Sequence, residues 1–328
     1  MLFFVICAAF ALFPDKVISG AASGAALCIN AVIPSLLPFM LVSSCLIKSG
    51  FSRPLGSILS KIISPLTGLG SSGCVCLLTG LIGGYGAGAR AVFDSFAEGQ
   101  ISKTEAERLL AFCNNAGPLF VIGTVGIGFF SDARAGAALY IMLVISSLIC
   151  AAAGGGEGEC KALRGEWEFY RKNKPPAGRL ISDCAVSSAC AMGTVCVFVI
   201  TFSAIINLLP TDNAVLAGII EVTCGLRGLS RGGSLALPAA AALLSWGGLS
   251  VHFQASALCG GKFSMKKYYI GRVFMAIISF SLMYIYCCDT YVDRDFCSFG
   301  LQGNYRGLPS TASAARSPST AALIIPPA

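Results

Sequence analysis

Residues 244–254 read Leu-Ser-Trp-Gly-Gly-Leu-Ser-Val-His-Phe-Gln, which sets the chain's one histidine and a glutamine inside an apolar run, beside two glycines and two serines. A water-soluble core has little use for that mixture. A helix that breaks inside a bilayer does: glycine lets the backbone unwind, and the freed N–H and C=O groups must line a cavity together with nearby polar side chains. The stretch predicts a transporter-type site near mid-membrane, with Ser245, Ser250, His252 and Gln254 as candidate substrate contacts.

Composition extends that reading to the whole chain. Of 328 residues, 55% are apolar and 12% charged, with a mean hydropathy of +0.77; a soluble chain carries about twice that charge fraction. Apolar runs recur at 1–13, 27–47, 73–89, 117–130, 135–153, 184–209, 214–226, 235–259 and 268–288. Several exceed the roughly 18 residues that cross the hydrocarbon. The runs at 117–130 and 214–226 are short and interrupted by Gly or Pro, which suits re-entrant half-helices packed inside protein. Roughly eight to ten membrane segments are expected on this count. Met1–Phe13 lacks a basic leader and a small-residue cleavage site, so it reads as an uncleaved first span.

The 16 cysteines lie mostly singly within apolar segments. The close pairs Cys74/Cys76 and Cys287/Cys288 lack a second pair at ligand spacing, so the thiols read as small apolar packing groups and no metal or other cofactor is expected. The net charge of +7 is taken up by basic clusters, Lys161 to Arg179 and Lys262, Lys266 and Lys267, which belong on the cytoplasmic side by the positive-inside bias. No basic stripe interleaves with aromatics, so nucleic acid is not an expected partner. No P-loop, nucleophile elbow or metal cluster is present, which argues against an ATPase and against an enzyme.

The Gly-, Pro- and charge-rich stretch near the middle divides the chain. The expected organisation is a first membrane half at 1–153, a polar cytoplasmic loop at 154–180, a second membrane half at 181–288 and a disordered tail at 289–328. Each half carries interrupted segments: Gly83 to Gly88 and Asn114 to Pro118 in the first, Glu221 to Gly225 and Ser245 to Gly248 in the second. Paired breaks of this kind point to a midplane binding site. The fold class is therefore an all-α polytopic membrane protein of two pseudo-repeated halves with broken or re-entrant helices, resident in the cell membrane.

These residues also carry a resemblance. Pro34-Ser35-Leu36-Leu37-Pro38-Phe39, Gly84-Tyr85-Gly86-Ala87-Gly88-Ala89-Arg90, Glu105 to Phe112 running on through Asn114 to Pro118 and Gly123 to Phe130, and Gly248 to Gln254 together resemble the bacterial sporulation integral membrane proteins with nucleoside-recognition Gate domains. Those proteins are distantly similar to concentrative nucleoside transporters. The resemblance spans about residues 15–288 and implies solute movement during endospore formation across the membrane around the forespore, with dipicolinate as the best-understood cargo. Two positions depart from the pattern. Gly86 stands where the family usually has proline, and Arg90 where lysine is common.

The candidate roles follow from position. Asn114 and Asn115 precede Gly117-Pro118, and proline favours the first turn of a helix whose free N–H groups would attract an anion. Direct substrate contact competes there with capping and interhelical hydrogen bonding. Glu221 is the one carboxylate in its apolar segment, so it is either a coupling group or an ion-pair partner, with Arg90 a plausible mate. His252 could exchange a coupling proton or simply bridge helices. Tyr85 and Gly117 complete the candidate platform, against the reading of glycine runs as close-packing devices. Thr104 with Glu107 reads as a capping box that makes the Arg108 helix a scaffold.

The leading expectation is a multi-pass carrier of a small organic anion, dipicolinate in the family reading, coupled through Glu221 or His252. A nucleoside-type solute, or a non-transporting structural or signalling role in sporulation, are the alternatives. Expected partners are the solute, the lipid bilayer, and either a second copy of the chain or other sporulation membrane proteins.

Overall fold

The computed structural model describes residues 2–155, 176–209 and 213–299. Most of the polar loop expected at 154–180, and the tail from residue 300 on, lie outside the described residues. The described residues are helical, without strands, and 2–287 form one compact unit.

Helix α1 (Leu2–Leu12) is followed by a break at Phe13, and α2 (Pro14–Leu27) begins with Pro14 at its first turn, where a missing N–H costs nothing. A π-helical turn at Cys28–Val32 leads straight into α3 (Ile33–Lys48). The expected first span at 1–13 is thereby corrected. At 1.5 Å per residue α1 is too short to cross a bilayer, and the crossing helix is Pro14–Lys48. Next come α4 (Ser52–Thr67) and α5 (Ser71–Gly83), bent 88° against each other as a broken span. The short helices α6 (Ala87–Ala97) and α7 (Lys103–Cys113) pack on α5.

An apolar π-helix at Leu119–Phe129 folds back on α8 (Ala133–Ala153). Helix α9 (Ala177–Leu208) runs along α2 and α3. Then α10 (Ala214–Ile220) and α11 (Val222–Leu229) form a tight hairpin creased at Glu221: a Cβ on Gly225 would lie 2.2 Å from the Cα of Gly218. Finally come α12 (Ala236–Trp246), α13 (Gly248–Leu258) and α14 (Lys266–Phe299). The last helix runs ten residues beyond Asp289, where the sequence pattern suggested that helix ends.

Among the described residues five helices are long and apolar enough to cross a membrane, or six if the bent pair counts as one span. That is fewer than the eight to ten segments expected, because several apolar runs are used as short, broken pieces inside the bundle. The polarity pattern is inverted relative to a soluble protein. On α14, Ile270, Ile277 and Ile285 are 70%, 60% and 64% exposed, a stripe at helical spacing that faces outward. Asp94, Asn114, Asn115, Ser146, Ser147 and Arg272 are meanwhile buried. Apolar outside and polar inside is the arrangement a lipid solvent selects.

Candidate functional site

The helix breaks at Gly84 and at Gly247–Gly248 lie close together. Gly84 takes φ +89°, which ends α5; the Gly117 backbone lies against it, so that a Cβ on Gly84 would sit 3.3 Å from the Gly117 nitrogen. Later in the chain Gly247 and Gly248 adopt φ +88° and +80°, a left-handed pair that turns α12 into α13. A Cβ on Gly248 would approach the Val222 nitrogen to 3.0 Å, so this break abuts the crease at Glu221. Tyr85 joins the two sets: its buried phenol donates a hydrogen bond to the carbonyl of Leu244.

Between them lies a cavity of about 50 Å³, whose lining includes Ser35, Tyr85, Gly117, Glu221, Thr223 and Gln254. It has room for a few waters but not for an organic solute, so the structure is closed around this point. Glu221, 2% exposed, accepts the N–H of Cys224 at 2.8 Å and so caps α11 with its own carboxylate. Among the described residues it has no cationic partner. The expected mate is engaged elsewhere: Arg90 pairs with the buried Asp94 at 2.9 Å and donates to Ser187. Asp94 also accepts from the Ser44 hydroxyl at 2.7 Å. The physical reason is simple, since a residue one turn away on the same helix reaches Arg90 without crossing the bundle.

The remaining candidates form a second cluster. Asn114 accepts the N–H of Gly86 at 2.7 Å, and its amide faces the Tyr268 hydroxyl at 3.5 Å. Asn115 donates to the Phe112 carbonyl at 2.6 Å and to Ser147 at 3.2 Å, while its oxygen accepts from Arg272 at 3.0 Å. Both asparagines therefore satisfy protein groups around the end of α7 and the start of α6. His252 Nδ1 is 3.0 Å from the Tyr268 hydroxyl, and its ring packs edge-on against Trp246, with centroids 4.2 Å apart. Gln254, two residues on, faces the other way into the small cavity and donates to Ser250 at 3.1 Å. Ser245 belongs to a run of buried hydroxyls with Ser279 and Ser146 that ties α12, α14 and α8.

Arg272 and Tyr268 are the residues that sequence reasoning passed over. Arg272 is completely buried, yet no carboxylate reaches it among the described residues. The signal was available, because a lone arginine within the apolar run 268–288 marks a functional position by default. The Arg108 helix is a scaffold as expected: Arg108 donates to the Thr67 and Ala151 carbonyls at 2.6 and 3.1 Å, at the C-terminal ends of α4 and α8. Its cap differs from the expected one. Ser102 rather than Thr104 accepts the Glu105 N–H, at 3.2 Å, because the helix starts two residues earlier.

The chain is similar to the sporulation integral membrane protein YlbJ of Bacillus subtilis (strain 168): 28% identical over 313 aligned residues, covering 80% of this chain and 76% of that protein. No family model matches, and no solved structure matches. With its spans and inverted polarity, this chain is a multi-pass integral membrane protein.

Proposed function

We propose that this protein is a gradient-driven carrier, not an enzyme, that moves a small organic anion during endospore formation. The observation that carries the reading is the meeting of helix breaks around a small cavity bearing the carboxylate of Glu221, which has no cationic partner among the described residues. Broken helices at a common depth give the backbone polar groups that a passing solute can use, and they give the two halves surfaces that can part. An unpaired buried acid is the type of group that takes up and releases a coupling proton. The buried Arg272 argues for an anionic cargo. Similarity to YlbJ supports the sporulation setting, and the resemblance to Gate-domain proteins supports dipicolinate as the first cargo to test. The bilayer, and a second copy or other sporulation membrane proteins, are the partners this role would use.

The test is uptake of labelled dipicolinate, with succinate and a nucleoside as competitors, by proteoliposomes holding the purified chain under an imposed pH gradient. Saturable uptake that is inhibited by carboxylates and collapses with the gradient supports the proposal. Absence of uptake for every solute, in a chain whose loss still blocks spore formation, would favour a structural role.

A further inference from the structure

Among the described residues no acid balances Arg272. Its side chain is fully buried; one terminal nitrogen donates to Asn115 at 3.0 Å and lies 3.8 Å from the Met275 sulfur, while Nε and the other terminal nitrogen have no hydrogen-bond acceptor. The Tyr268 ring lies 6.0 Å from the guanidinium carbon, a weak cation–π contact. An arginine is not relieved of its charge by burial, as a lysine or histidine would be. An unpaired guanidinium in a lipid-embedded bundle is costly, and removing such a group for an apolar one ordinarily stabilises a fold. Its persistence calls for a missing anion.

A place for that anion adjoins it. A cavity of about 520 Å³ opens between α7, α8 and α14; its lining includes Phe112, Cys150 and Gly271 but not Arg272, which lies next along α14 with its guanidinium turned to Asn115 and Met275. The Phe112 carbonyl is the acceptor for Asn115, the residue that orients the guanidinium. The volume falls in the range of small-molecule sites, roughly 300–1,000 Å³. The lining is largely apolar, with Arg108 and Lys267 against the single acid Glu105. It sits where α8 ends and α14 begins, the end that the positive-inside bias places in the cytoplasm. A compact carboxylate with an apolar or aromatic body matches that lining, and a bidentate carboxylate matches the two unused guanidinium donors.

We propose that this cavity is the cytoplasmic entry site for the solute and that Arg272 is its carboxylate-binding residue, reached when Phe112 and Gly271 at the inner wall give way. The inference rests on the carrier reading for its physiological meaning but is tested by binding alone. Detergent-purified full-length chain would be titrated with dipicolinate, benzoate and succinate, following both heat of binding and melting temperature, for the natural sequence and for Arg272→Met and Arg272→Lys.

The expected result is carboxylate binding that raises the melting temperature, weakened at least about tenfold in Arg272→Met and partly retained in Arg272→Lys. Arg272→Met without ligand deletes an uncompensated charge but leaves the Asn115 oxygen without its donor, so the two effects oppose and its melting temperature should change little. A merely structural arginine predicts binding that Arg272→Met leaves unchanged. Binding within about twofold of the natural chain in Arg272→Met, or no response of the natural chain to any of the three carboxylates, would each overturn the inference. A chain that binds through Arg272 yet moves nothing in vesicles would remove the carrier reading and leave this one standing. Transport unaffected by Arg272→Met would do the reverse.

Discussion

The side-chain oxygen of Asn114 accepts the backbone N–H of Gly86 at 2.7 Å. It thereby holds the start of α6, where Gly86 sits at φ +82°. Proline, fixed near −65° and lacking an N–H, fits neither condition. The glycine at position 86, where the proteins this chain resembles usually have proline, is thus matched by an asparagine whose side chain accepts its N–H. Asn114→Ala should lower stability by about 1–3 kcal/mol, since a buried N–H loses its acceptor. Gly86→Pro should cost about 3 kcal/mol or more. Thermal melts in detergent would check both, and a Gly86→Pro chain that melts normally would show that the α6 start is built otherwise.

Glu221 combines two roles that can be pulled apart. Its carboxylate caps α11 and lines the cavity, with no counter-ion among the described residues. Glu221→Gln keeps an acceptor for the Cys224 N–H, so membrane abundance and melting should hold while gradient-driven uptake fails. Glu221→Ala should lose the cap as well, about 1 kcal/mol. Normal uptake by Glu221→Gln across a range of pH would exclude this residue from coupling.

Gly80 and Gly193 make a paired test of packing. A Cβ on Gly80 would lie 1.6 Å from the Cys113 carbonyl oxygen, whereas one on Gly193 meets nothing within 4 Å. Gly80→Ala should therefore destabilise by about 1–3 kcal/mol or more. Gly193→Ala, in the middle of α9, should be neutral or stabilising by about 0.5–1 kcal/mol. Folded yield and melting temperature of the two variants would decide.

Glu98, at the end of α6 and outside the spans, has its carboxyl raised above the ordinary range by burial, opposed by Lys48 and assisted by Asp94. A raised acid binds its proton more tightly when folded, so the folded state is favoured at low pH and loses that advantage as pH rises through the shifted value. Glu98→Gln should then melt higher than the natural chain near about pH 8 and indistinguishably near about pH 4. Equal melting at both pH values would show that Glu98 is not destabilised by ionisation.

The membrane class, the all-helical build and the positions of the breaks were legible, because hydropathy and glycine placement act locally. Glu221, Tyr85, Gly117 and Gln254 were marked for one site, and they line one cavity. What sequence could not show was which partner each polar group takes. Arg90 turned to Asp94 on its own helix, and His252 and Gln254, two residues apart, face different neighbours. Those choices are set by how helices distant in sequence pack, which one chain read alone does not encode in any spacing. Arg272 carried a local signal, a lone arginine within the apolar run 268–288, but nothing in the sequence shows that it is buried beside Asn115. The crossing count was overestimated because apolar runs such as 214–226 look alike whether they traverse a bilayer or double back within it.

Gly80 and Gly88 both press on the Cys113 carbonyl so closely that no methyl group fits between them. Helices α5, α6 and α7 can then move only as a single block, with no sliding of one past another. Gly232 and Gly233, joining α11 to α12, have open space around them and φ of +113° each. That joint has the backbone freedom which the α5–α6–α7 block lacks.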